Sequence, residues 1–118
     1  MYDKIILMKI QRPRNTKGGG TMEFLVYKEG KTFVGVCLTF DIVEEGTNPE
    51  KLMESIQEAA LGHLEVVQEE DMSDDLLNRY APKEYWDIYF KVIEDIRNKK
   101  SIKSPYSFFI FPYATRAI

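Results

Sequence analysis

Residues 22–67 read MEFLVYKEG (22–30), KTFVGVCLTF (31–40), DIVEEG (41–46) and TNPEKLMESIQEAALGHLEVV (47–67). Met22 to Lys28 has the composition of a strand. Glu29-Gly30 is a turn signal, because Gly30 tolerates the positive φ that closes an antiparallel hairpin. Thr32 to Phe40 follows as the second strand. Period-two alternation puts Val34, Val36, Leu38 and Phe40 on one face, and Gly35 and Cys37 on the other. That second face is small and lets another element approach closely. Asp41 breaks the run, Ile42 to Glu45 make a short third strand, and Gly46 ends it. Thr47 with Glu50 forms a capping box, and Asn48 before Pro49 is the alternative cap. The helix then runs to about Glu69. Leu52, Ile56, Ala59, Ala60, Leu64 and Val67 form its apolar stripe, with Glu54, Glu58 and Glu65 opposite.

Upstream, Ile5 to Ile10 reads as a strand. Gln11 to Thr21 (QRPRNTKGGGT) holds a proline and three consecutive glycines, so it reads as a mobile loop or linker. The expected division is an extension with a glycine-rich linker over 1–21, then one domain over 22–118. Downstream, Ser73 caps a short helix from Asp74 to Tyr80. Pro82 opens another, through about Asn98, with Tyr85, Trp86, Tyr89, Ile93 and Ile96 as its stripe. Lys99 to Ser104 is a basic loop, and PYSFFIFPY (105–113) reads as a terminal strand. Its prolines fit a sheet edge. A strand this apolar needs cover, from the sheet or from a subunit interface. The predicted fold is α+β: a mainly antiparallel sheet of about four or five strands on one main helix, with the two later helices covering an edge or end.

The chain has 118 residues, the length of one domain. Apolar residues make up 44% and aromatic residues 13%, enough for a core without disulfide staples. Cys37 is the only cysteine, so no internal bridge forms, as in a reducing compartment. No apolar run approaches the ~20 residues of a membrane span. MYDKIILMKIQRPR lacks the small-residue cleavage site of a signal peptide, so a cytoplasmic protein is expected. The net charge of −3 hides an asymmetry. Residues 1–20 carry five bases and one acid, residues 41–75 carry twelve acids and one base, and residues 97–103 carry four bases and no acid. Such blocks select the partner a surface attracts, or serve only as solvated faces.

The candidates for chemistry are thin. Asp41, Glu44 and Glu45 are three carboxylates within five residues, but alternation puts Glu44 and Glu45 on opposite faces, where they do not share a metal. His63 is the only histidine, and Glu58 and Glu70 are poorly spaced to form a dyad with it. Cys37, between Val36 and Leu38, reads as a small buried hydrophobe. Lys17-Gly-Gly-Gly-Thr21 has its lysine ahead of the glycines, the wrong order for a phosphate loop. Tyr85, Trp86, Tyr89 and Phe90 have the spacing of core packing more than of base stacking. No catalytic residue, metal ligand or cofactor follows from the sequence.

The central block resembles the HicB family, the antitoxin half of a toxin–antitoxin pair, in its partial RNase H-like β-β-β-α domain. The residues that carry the resemblance are Phe24 to Gly30, Phe33 to Leu38, Ile42 to Gly46, the Thr47-Asn-Pro-Glu50 lead-in, and Ile56 to Leu64. They span under half of the chain. Where that family has a proline-aspartate-leucine-proline-glycine stretch, Thr39-Phe40-Asp41-Ile42 keeps only the aspartate. The resemblance implies a non-catalytic protein that masks a small basic RNA-cleaving toxin, often as a homodimer or tetramer. Assembly would then run through a sheet edge or the C-terminal strand. The partner-facing acids would be Glu44, Glu45, Glu54, Glu58 and Glu65. Two alternatives stand beside this. One is a nucleic-acid-binding module using Arg12, Arg14, Lys17, Arg97, Lys99, Lys100 and Lys103. It is the less favoured, because the Pro82–Asn98 helix carries Glu84, Asp87, Glu94 and Asp95 beside its bases. The other is a degenerate nuclease built on Asp41.

Overall fold

A computed structural model describes residues 14–98 and 107–114. The elements are β1 (Gly19–Glu29), β2 (Thr32–Cys37), β3 (Ile42–Gly46), α1 (Pro49–Glu69), a 3-10 turn (Asp74–Leu77), α2 (Lys83–Arg97) and β4 (Ser107–Ala114). The four strands form one antiparallel sheet in the order β3-β2-β1-β4. The fold is α+β, as the patterning predicts. The strand expected over Ile5–Ile10 lies outside the described residues.

The β1–β2 hairpin turns through Gly30 and Lys31, with Gly30 at φ +64° and Glu29 paired to Thr32. A glycine at the first central position gives the turn a twist that matches the strands. β2 stops at Cys37, three residues short of expectation. The Leu38 N–H bonds the Glu23 carbonyl at 2.8 Å, and the Leu38 carbonyl accepts from the Ala81 N–H at 2.8 Å. The chain then turns through Asp41 at φ 57°. This turn reverses the expected side of Phe40, which packs on α1 rather than beside Val34, Val36 and Leu38.

The sheet is covered on both faces. Met22, Phe24, Val26 and Cys37 meet Leu52, Ile56, Ala60, Leu64 and Val67 of α1. Leu25, Tyr27, Val34, Val36 and Leu38 meet Trp86 and Tyr89 of α2. The later helix therefore forms a third layer, where an edge or end position was expected. Gly35 marks the closest approach of α1. A Cβ there would lie 2.9 Å from Leu52 Cγ and 3.2 Å from Ile56 Cδ1. Two stripe assignments change: Ala59 faces outward on α1, and Ile96 is exposed on α2.

Three further expectations are corrected. Asn48, not Thr47, caps α1, with its Oδ1 accepting the Lys51 N–H at 3.0 Å. The expected Asp74–Tyr80 helix is a single 3-10 turn. Asn78 Nδ2 occupies the Asp74 carbonyl at 2.9 Å, and the Asn78 N–H bonds Asp75 instead. An α-helix would need that Asp74 carbonyl for the Asn78 N–H. Finally, the segment read as a linker is ordered from Asn15 onward, and β1 begins at Gly19. Asn15 is buried. Its Oδ1 accepts the Thr21 N–H at 2.9 Å, and its Nδ2 donates to the Thr21 and Leu77 carbonyls, each at 2.9 Å. Gly20 is required by this contact, since a Cβ there would fall on Asn15 Oδ1 and 2.8 Å from its Cγ.

Candidate binding surface

The outward side of α1 carries Glu54, Glu58 and Glu65, all exposed, with Leu61 on the same ridge. Leu61 is 39% exposed, and Val66 beside the ridge is 52% exposed. No described cation pairs with Glu54, Glu58 or Glu65, and Lys51 is the only base in the helix. α2 differs. Lys83–Asp87 and Lys91–Asp95 pairs at i,i+4, each 2.8 Å, offset two of its four acids, and Glu84 and Glu94 are exposed on the same helix as Arg97. Among the described residues α1 has five acids to one base, against four acids to three bases on α2. Of the two β3 candidates, Glu44 joins this side, its Oε1 accepting from Ser55 Oγ at 2.6 Å. Glu45 is exposed on the opposite face of the sheet, as alternation requires.

The basic candidates do not gather into one patch among the described residues. Lys17 is held against the acidic segment after α1. Its Nζ lies 3.2 Å from Asp71 and 3.7 Å from Asp74, and it donates to the Met72 carbonyl at 2.6 Å. Its backbone N–H bonds Asp74 Oδ1 at 3.0 Å, and its carbonyl accepts from Gln68 Nε2 at 3.0 Å. Arg14 and Arg97 are exposed. Arg12, Lys99, Lys100 and Lys103 lie outside the described residues.

The remaining chemical candidates are structural in their contacts. His63 Nε2 donates to the Leu76 carbonyl at 2.6 Å, and its ring rests 5.0 Å from that of Phe40. His63 thereby ties the 3-10 turn to α1. Cys37 is fully buried, and burial pushes its thiol up to about 11, far from a reactive thiolate. Asp41 is an exposed turn residue. Among the described residues no three His, Cys, Asp or Glu side chains are placed to hold a metal ion. Nor is any described helix long and apolar enough to cross a membrane. Tyr85 and Phe90 pack against the core that contains Trp86 and Tyr89.

One residue escaped the sequence reading. Glu23 lies in the middle of β1 facing α2 and is 7% exposed. Its Oε1 accepts from the Tyr89 hydroxyl at 3.1 Å, and its Oε2 has no partner among the described residues. Burial pushes the carboxyl up to about 7, against a smaller lowering by the Tyr89 bond. An acid inside the run MEFLVY breaks no strand pattern, so only its neighbours reveal it. Comparisons of the chain with protein-family profiles, with curated proteins and with solved structures give no significant match.

Proposed function

We propose that this chain is a non-catalytic binding protein whose acidic α1 layer covers a small basic partner, in the manner the HicB resemblance implies for an RNA-cleaving toxin. The observation that carries this reading is the contrast between the two helices: α2 pairs two of its four acids with its own lysines, whereas Glu54, Glu58 and Glu65 around Leu61 have no ion pair among the described residues. Unpaired charges around an exposed apolar residue give a surface that steers a cation-rich partner and then desolvates against it. Self-association through a sheet edge or β4 belongs to the same proposal.

The test is titration calorimetry with any short basic protein found encoded beside this one, from about 50 to about 500 mM salt. Exposed charge pairs contribute about 0.2–1 kcal/mol each. The triple variant Glu54→Gln, Glu58→Gln, Glu65→Gln should therefore weaken binding by about 3- to 150-fold, and binding should fall with salt. Salt-insensitive binding, or no basic partner at all, rejects the reading.

A further inference from the structure

Among the described residues β3 forms one edge of the sheet, and the direction of its main-chain groups follows from the hairpin. A two-residue turn closes on a hydrogen-bonded pair, here Glu29 with Thr32. Alternation then points the main-chain groups of Leu25 and Tyr27 toward β2, and the bond from the Leu38 N–H to the Glu23 carbonyl fits the same phase. In β2 the groups of Phe33, Gly35 and Cys37 must point the other way, toward Gly46, Glu44 and Ile42 of β3. The N–H and C=O groups of Val43 and Glu45 are left facing outward. Their side chains are also open: Val43 is 42% exposed and Glu45 is exposed.

The two edges of the sheet are not equivalent. On β4 the same alternation puts Pro112, opposite Thr21, at an outward-facing position. It has no N–H to offer a further strand. β3 contains no proline and no lysine. A second copy of the chain fits it poorly in two of the three antiparallel registers that use these groups, and the third is the self-association outcome of the test below. Antiparallel self-pairing that uses the outward groups sets Val43 opposite Val43, Val43 opposite Glu45, or Glu45 opposite Glu45. The last two registers oppose Glu44 to Glu44 and Glu45 to Glu45, whereas the first sets Ile42 opposite Glu44 and brings no like charges together within β3. Like charges directly opposite each other destabilise a strand pair.

Resting on the basic-partner reading above, we infer that β3 accepts a short strand of that partner, paired through the main chain of Val43 and Glu45. The complementary strand carries an apolar residue opposite Val43 and Lys or Arg opposite Glu45 and Glu44. Main-chain bonds supply attachment and the alternating side chains supply selectivity.

A synthetic peptide with the repeat Val-Lys-Lys-Lys, which sets valine opposite Val43 with lysine opposite Glu44 and Glu45, tests this with the 15N-labelled full chain. Amide hydrogen exchange at Val43 and Glu45 should slow by about 10-fold or more when the peptide binds. The same peptide N-methylated at alternate amides, and a glutamate–valine peptide, should give no such protection. Val43→Pro removes one outward N–H and no bond to β2, and should abolish the protection. The peptide arms stand even if that variant folds poorly. Two results overturn the edge while leaving the basic-partner reading intact: shifts confined to Glu54, Glu58 and Glu65, or Val43 protection that grows with protein concentration in the absence of peptide. If the peptide does not bind and the neighbouring basic protein does not either, both fall.

Discussion

Glu23 shows how one buried atom sets a pH dependence. Its carboxyl titrates near 7 in the folded chain and near 4.5 when exposed, because the ion is costly under α2. The folded state therefore holds this proton more tightly. The associated stability is fully present below about 4.5 and is lost as pH rises through about 7. Glu23→Gln should raise stability at pH 8 by about 1–3 kcal/mol and flatten the slope between pH 5 and 8. Urea midpoints at the two pH values measure this; an unchanged slope in the variant would refute the assignment. Gly20 is the other residue with a sharp expectation. Gly20→Ala drives a methyl into Asn15 and should cost about 2–4 kcal/mol through the bonds Asn15 makes. A neutral result in a thermal melt would mean the Asn15 loop is not attached as described.

At the scale of elements, α1 offers a clean discrimination between two caps. Asn48→Ala should destabilise by about 1 kcal/mol, whereas Thr47→Ala should change little, because only Asn48 bonds the Lys51 N–H. Chemical denaturation of the two variants decides it, and the reverse order would restore the capping box. The strands β1 to β3 and the helix α1 were legible because period-two and 3.6-residue repeats are local. β1 was also legible in part as a two-sided strand: Met22 to Tyr27 contains no alternation, and all six are buried. The start of β1 was not legible. Gly19 and Gly20 read as flexible until Asn15 and β4 supply the contacts that need them. The 3-10 turn was hidden for the same reason, since Asn78 acts through Asp74 and Asn15 at once.

For the whole molecule, the sheet separates two differently charged layers. Among the described residues α1 exposes acids with no ion pair, and α2 matches two of its four acids with lysines. The acidic residues were visible in the sequence. Their division between two faces was visible only for Glu44 and Glu45, because the third layer was placed at an edge. The layer is held by Trp86, which is fully buried and lies 5.8 Å, edge-on, from Tyr89. Trp86→Ala should cost about 3–5 kcal/mol. It should also release α2 from Leu25, Val34 and Val36, raising the binding of a hydrophobic dye while far-UV signal from α1 persists. Loss of both helices together would show that the layers do not act separately.

The pairing of β1 with β4 joins Val26 to Ser107 and Gly19 to Ala114. During synthesis at about 5–20 residues per second, β1 waits roughly 4 to 16 seconds for its second neighbour to be made. Through that interval a row of apolar residues stands beside open backbone groups, and nascent chains on one polysome can cross-pair there. Slow elongation through the intervening segment should therefore lower soluble yield.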